Sequence, residues 1–377
     1  VSVAGVAFVR TSPEPVLEAP IFERGAFAWL RENLFSSLWS SLLTVALLLL
    51  ALWLLPDLVA WATTKAVWSA SDGALCRAHQ DGACWAFVGH KLDYFRYGSY
   101  PEDQRWRVDT TEMVGAILIA WLLWPRAPRR SVGLVLFFAI YPILAFVLLR
   151  GSTWFGMPVV DTALWGGIFV SLLTALVGIV FSLPLGVLLA LGRRSRLPIV
   201  KAASVVYIET MRGVPFITVL FMANNMLPLF LPEAWSPDRL LRPLIGTALF
   251  AAAYLAEEVR GGLQLIPKGQ FEGAAALGLN YRLMMRLIIL PQALALVIPG
   301  IVNNFIGLFK DTTLVSAVGT LDFLETVQNA AKDPVWIGPT IAPTGYAFAA
   351  MFYFVFCFGM SRYSLAMERR LAAGRRR

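Results

Sequence analysis

The sequence predicts an all-α polytopic membrane protein, and three observations carry that prediction. Apolar residues fill 58% of the 377 positions and charged residues only 15%. The apolar residues run in long unbroken stretches, near the roughly 20 residues that take a helix across the hydrocarbon core. The Lys and Arg behind the net charge of +8 gather in short segments between those stretches, as they do in cytoplasmic loops. Lipid offers no partner to backbone N–H and C=O groups, so spanning segments must be helices or closed barrels. The weak ten-residue alternation of a barrel is absent. Basic residues placed in this way point to a bilayer and away from nucleic acid.

The elements follow in order. Residues 1–36 form a leader in which Phe22, Phe27, Trp29, Leu30, Leu34 and Phe35 fall near helical spacing among Glu23, Arg24, Arg31 and Glu32. This reads as an amphipathic helix lying on the membrane surface or as an ordinary polar leader. Eight spans are expected, over 38–55, 113–124, 132–149, 167–191, 215–231, 243–256, 287–309 and 341–360, the second and sixth being short. The first three, within 37–150, precede a segment 151–370 that holds the other five. No cleavable signal sequence precedes the first span, which leaves the amino end in the cytoplasm.

Charge sets the expected orientation. Arg126, Arg129 and Arg130 lie between spans two and three, and Arg193, Arg194, Arg196 and Lys201 between spans four and five. After span eight come Arg362, Arg369 and Arg370, then the basic tail 371–377 with Arg375, Arg376 and Arg377. All fall on one side if both termini are cytoplasmic. The loop 65–112 then lies outside and is long enough to hold structure of its own. Cys76 and Cys84 within it are expected either to form a disulfide or to stay as free thiols. His79 and His90 share the loop, but the spacing matches no zinc pattern, so no metal site is expected.

The chain has no GxxxxGK[ST], GxSxG, HExxH or GxGxxG stretch, and so none of the motifs that would mark ATP binding or hydrolytic chemistry. Both histidines sit in the outer loop, which leaves an enzyme reading little support. The informative segment is the loop 257–286, EEVRGGLQLIPKGQFEGAAALGLNYRLMMR. A short helix is expected over 270–277, preceded by Pro267 and Gly269 and stopped by Gly278. Ala274, Ala275 and Ala276 would give it a slim face for a groove on another protein. A helix this short needs a partner surface to hold it, and Lys268, Arg282 and Arg286 suit an acidic or phosphate-binding one.

The order Glu272, Ala274, Gly278, then Ile288, Leu290 and Pro291 resembles the EAA loop of ABC importer permeases. Gly273 stands where that family has its first alanine, a change worth up to about 1 kcal/mol of helix stability. The stretches YIETMRGVP at 207–215, AEEVRGGLQLIPKGQ at 256–270 and KDTTLVS at 310–316 resemble motifs of the permeases for polar amino acids. The resemblance covers about 167–370 and implies a type I ABC importer transmembrane fold, about eight helices with a five-helix core. It implies that the loop is a coupling helix docked on a cytoplasmic ATPase, with Gly269, Glu272, Ala274, Ala275, Leu277, Gly278, Arg282 and Pro291 carrying the contact. The three added spans and the outer loop with CRAHQDGACW resemble a membrane subunit of the general L-amino-acid or glutamate/glutamine/aspartate/asparagine importers of Gram-negative bacteria. That likeness implies a multi-pass inner-membrane protein paired with a sister permease. It also implies two ATPase subunits, which bind ATP and Mg, and a periplasmic amino-acid-binding protein. This chain itself would hold no cofactor.

Polar groups inside spans are functional candidates by default. In span seven, Pro299 and Gly300 are expected to break the helix, and Asn303 and Asn304 to hydrogen-bond a passing L-amino acid or else to join neighbouring helices. Asn224, with Asn225, invites the same reading in span five. Lys310 and Asp311 would recognise a carboxylate and an ammonium, or pair with each other. Glu209 with Arg212, and Glu257 with Arg260, are expected at cytoplasmic span ends as gate elements or snorkelling residues. A secondary amino-acid transporter, the main alternative, would show inverted repeats and mid-span acids. An ABC permease for a different small polar substrate is the other.

Overall fold

The computed structural model describes residues 25–124, 127–232 and 235–375, the last four without their side chains. The expected leader helix before Gly25, Arg126, Arg376, Arg377 and the Arg375 side chain lie outside the described residues. The chain divides into two units, 1–66 and 67–377.

The first unit holds α1 (Gly25–Leu34) and α2 (Leu38–Ala62). Ser37 caps α2 by accepting from the Ser40 N–H at 3.2 Å, and Thr44 Oγ1 donates to the Leu34 carbonyl at 2.8 Å, fixing the turn between the helices. The 25 residues of α2 are apolar on every side and none is buried, the surface a helix presents to lipid. At 1.5 Å per residue it is about 38 Å long, enough to cross the bilayer core.

The second unit opens with α3 (Ala74–Ala78), α4 (Trp85–Tyr97) and α5 (Arg105–Leu123). Helix α6 (Arg130–Val135) runs through a π-helical turn into α7 (Tyr141–Arg150). Next come α8 (Gly167–Arg193), α9 (Pro198–Gly213), α10 (Phe216–Phe221) and α11 (Leu241–Gln264). The chain ends with α12 (Lys268–Ala276), α13 (Tyr281–Met284), α14 (Leu290–Asp311), α15 (Phe323–Ala331) and α16 (Ile341–Arg375).

Among the described residues, five runs are long and apolar enough to cross a membrane: Leu38–Ala62, Arg130–Arg150, Gly167–Arg193, Tyr281–Val318 and Ile341–Leu371. A sixth is the pair Pro198–Gly213 and Phe216–Phe230, bent by 111°. The expected spans 113–124 and 243–256 fall on α5 and α11, of 19 and 24 residues. Helix α5 carries charge in its first half, from Arg105 to Glu112, and α11 at both ends, with Arg242 near the start and Glu257, Glu258 and Arg260 near the finish. Helix α11 is also enclosed by its neighbours, so it does not need the lipid-facing apolar surface of an outer helix. Its Ala248, Ala251, Ala252, Ala253 and Ala256 are buried. A Cβ at Gly186 of α8 would lie 2.8 Å from the Leu255 Cβ, and one at Gly262 of α11 would lie 2.6 Å from the Ala293 carbonyl of α14. Small residues let these backbones approach closely.

The segment 67–112, most of the loop expected outside, folds into a cap. Cys76 and Cys84 are joined by a disulfide. Phe87 and Phe95 pack with Phe323 from α15, Trp336 from the loop after it and Ile341 from the head of α16. The Cys84 N–H donates to Thr344 Oγ1 at 2.9 Å, and Lys91 Nζ meets Asp333 Oδ2 at 2.5 Å.

Candidate functional site

Two groups of residues stand out, one at the end of the bundle and one inside it. At the end, Pro267 leads into α12 and Gly278 closes it with φ +73°. The Leu279 N–H donates to the Ala274 carbonyl at 3.2 Å and the Gly278 N–H to the Ala275 carbonyl at 2.9 Å. This paired terminus needs a left-handed residue, and glycine takes that conformation without strain. Asn280 then caps α13, accepting from the Leu283 N–H at 3.0 Å.

Helix α12 is held from behind. Gln292 Nε2 on α14 donates to Gln270 Oε1 at 3.1 Å. Phe271 packs on a cluster that includes Ile266, Met285 and Ile289, with the Arg194 guanidinium 5.8 Å from its ring centre. Ala274 turns inward and is 2% exposed, so the outward face differs from the three alanines expected. Glu272, Gly273, Ala275 and Ala276 face out with Leu277, which is 77% exposed. Gly269, Gly278 and Arg282 are exposed beside them, and Pro291 is exposed at the first turn of α14. The arrangement is a small apolar knob edged by charge and braced on α11 and α14.

Just inside lies an ionic cluster. Glu257 Oε1 meets Arg193 Nη1 at 2.8 Å, and its Oε2 meets Arg260 at 2.6 Å and Arg212 at 3.7 Å. Glu209 pairs with Arg193 at 2.8 Å, in place of the partner Arg212 expected from the sequence. The ends of α8, α9 and α11 are thereby tied together.

Deeper in, Glu258 behaves differently from its neighbour. Asn304 Nδ2 donates to Glu258 Oε1 at 3.3 Å and to the Gly300 carbonyl at 3.1 Å. A Cβ on Gly300 would lie 2.3 Å from Glu258 Oε2, so the carboxylate rests in the notch the glycine leaves. Among the described residues no Lys or Arg pairs with Glu258. Asn303, the preceding residue of α14, is exposed. Sequence reasoning missed Glu258, because a span boundary drawn at 256 put it in a loop. Helix α14 also runs unbroken through Pro299 and Gly300, and the irregular turn comes earlier, as a π-helical segment at Met285–Ile289.

The remaining candidates lie elsewhere. Lys310 is exposed and Asp311 half-buried near the far end of α14, with no ion pair between them among the described residues. Asn224 sits in a π-helical turn, donating to Asn225 Oδ1 at 3.0 Å and to the Val318 carbonyl at 3.4 Å. Arg242 Nη1 donates to the Asn224 carbonyl at 3.2 Å. The structure brings Asn304 to Glu258, with Asn303 next to it in α14, but does not bring Asn224, Lys310 or Asp311 to them.

Beyond α14, Asp322 caps α15, accepting from the Leu324 and Glu325 N–H groups at 3.1 and 3.0 Å. Burial pushes its carboxyl up to about 7, against the downward pull of those two N–H groups.

Comparison with known proteins fits this geometry. Residues 182–373 match the family described as binding-protein-dependent transport system inner membrane component. The inner membrane amino-acid ABC transporter permease protein YhdY of Escherichia coli is 49% identical over 93% of this chain and 94% of its own length. The glutamate/glutamine/aspartate/asparagine transport system permease protein BztC of Rhodobacter capsulatus is 39% identical over 97% of this chain and 98% of its own. A solved structure described as an amino acid ABC transporter with histidines is 27% identical over 54% of this chain and 92% of that one, with a TM-score of 0.47. With a braced outward helix at one end, a polar notch within the bundle and the family match over half its length, the chain belongs to the inner membrane components of binding-protein-dependent transport systems.

Proposed function

We propose that this chain is one of the two permease subunits of an ATP-driven amino-acid importer, forming part of the translocation path and coupling it to a separate ATPase. The observation that carries the reading is α12: a nine-residue helix with an exposed Leu277 and small outward residues, braced on α11 and α14. An isolated helix of that length is unstable in water, and a packed back with an apolar front suits insertion into a partner's groove. The full-length likeness to permeases named for amino acids supports the substrate class.

In this mechanism ATP and Mg bind the ATPase pair, and its closure displaces α12. The motion passes to α11 and α14, which turn as one body and carry the notch at Glu258 and Asn304 to face outward, where it receives an amino acid from a periplasmic binding protein. Hydrolysis returns it inward. Glu258 accepts hydrogen bonds from the substrate ammonium, with Asn304 beside it and Asn303 offering a further amide from α14. The sister permease completes the path. Both termini lie in the cytoplasm and the Cys76–Cys84 cap outside, in keeping with the positions of the basic segments.

The test is uptake of labelled glutamate, glutamine, aspartate, leucine, histidine and arginine by cells with and without this chain. Loss of several together is expected. Unchanged uptake of all six, in cells with no redundant importer, would overturn the amino-acid reading.

A further inference from the structure

A cavity of about 350 Å³ lies between α7, α8 and the start of α11, away from both groups of residues above. Its walls are apolar: Ala145 and Phe146 from α7, Leu173, Val177 and Phe181 from α8, and Leu244 from α11. The polar groups lining it that carry charge, Arg150 and Asp238, sit where α7 ends and α11 begins, together with Thr162 from the segment before α8. Thr162 Oγ1 and the Leu240 N–H both bond Asp238 Oδ1, at 2.6 and 2.9 Å, which fixes the carboxylate. Among the described residues neither Arg150 nor Asp238 has an ion-pair partner. Next to Arg150, Trp154 is 94% exposed and Phe155 72% exposed. Aromatic side chains displayed at the end of a span mark the level of lipid headgroups. The polar end of the cavity therefore meets the membrane interface, and the apolar remainder extends along α8 for about 12 Å into hydrocarbon depth.

We infer that this cavity is a binding site for one phospholipid of the zwitterionic, amine-bearing kind. An acyl chain fills the apolar length, the phosphate faces Arg150 and the ammonium faces Asp238. A hydrocarbon chain satisfies walls that offer almost no hydrogen-bonding group, and a head bearing both charges complements a rim that carries one of each. A purely anionic head would leave Asp238 facing a like charge, and a second polypeptide would have to bring both charges and an unbranched apolar segment. The site joins helices that precede the segment matching the family to helices within it, so the lipid would act as packing between the two. This inference rests on the chain being in a bilayer and not on what it transports.

The experiment uses the complete chain in nanodiscs made from equal parts phosphatidylethanolamine and phosphatidylglycerol, released into the gas phase for native mass spectrometry. One phosphatidylethanolamine retained per chain is expected. Val177→Trp, which fills the cavity, should abolish retention. Arg150→Gln at the exposed rim should reduce it at least fivefold while leaving the unfolding temperature within a few degrees. Asp238→Asn should erase the preference for phosphatidylethanolamine over phosphatidylglycerol. No retained lipid, retention unchanged in Arg150→Gln, or a preference for phosphatidylglycerol would each overturn the assignment. So would crosslinking of a cysteine placed at Phe146 to another polypeptide in native membranes.

Discussion

Adjacent glutamates on α11 meet different fates. Glu257 is compensated by Arg193, Arg212 and Arg260, whereas Glu258 meets, among the described residues, the amide of Asn304 and no cation. An ionisable group left in this way within a bundle is costly unless a ligand or water completes it. Glu258→Gln keeps the shape and the bond to Asn304 but loses the charge. Uptake should fall about tenfold or more, the worth of one charge-assisted hydrogen bond, with surface expression unchanged. Full uptake would remove Glu258 from the path. Asp322 offers a prediction about stability. Its carboxyl titrates near 7 in the folded chain against an ordinary 3.8, so between those values the folded state holds a proton that the unfolded state has lost. Stability from this group is therefore greatest below about pH 4, declines as pH rises to about 7 and is level above that. Asp322→Asn keeps an acceptor for the α15 cap and removes the buried charge. Its melting temperature should exceed that of the parent chain at pH 8, exceed it by less at pH 5 and converge with it below about pH 4. A lower melting temperature at both pH 8 and pH 5 would show that the charged cap matters more than the burial penalty.

For α12, the separate contributions of backbone and charge can be tested at one position. Gly278→Asn supplies a neutral residue that tolerates left-handed backbone, and Gly278→Asp adds a charge where the docked partner would bury it. Asn should retain most uptake, and Asp should lose it together with substrate-stimulated ATP hydrolysis in the assembled transporter. Equal loss in both would assign the effect to helix termination instead. Much of this element was legible in advance, because Pro267 and Gly278 are conformational punctuation that acts locally. The inward turn of Ala274 was not, since helical phase is set by what Phe271 packs against. Helix α9 was missed for a related reason. Lys201 read as part of the segment between spans four and five and Glu209 and Arg212 as a span end, and the ion pairs of the helix reach to residues 16 or more positions distant, such as Arg193.

At the scale of the molecule, membrane spans were readable where lipid dictates the sequence, as in α2 and α8, and blurred where protein does, as in α11, whose alanines satisfy close packing and not hydrophobicity. The cap binds itself to α15, to the loop after it and to the head of α16, through the aromatic cluster around Phe323, the Lys91–Asp333 pair and the Cys84–Thr344 bond respectively. Replacing both Cys76 and Cys84 by Ser should cost about 2–3 kcal/mol, the loop-closure entropy of so short a ring, measured as a lower melting temperature that reductant no longer affects. An unchanged melting temperature would mean that the packing alone holds the cap. The glycine crossings at Gly186 and Gly262 have a mechanical corollary. With no space for even a methyl group between α8, α11 and α14, the three helices lack the slack to shear past one another, because packed interiors are stiff. They behave as a single rigid beam. If α12 is the lever proposed above, a push on it would be carried to Glu258 by this beam, and the compliance of the transport cycle would fall to the 111° elbow between α9 and α10.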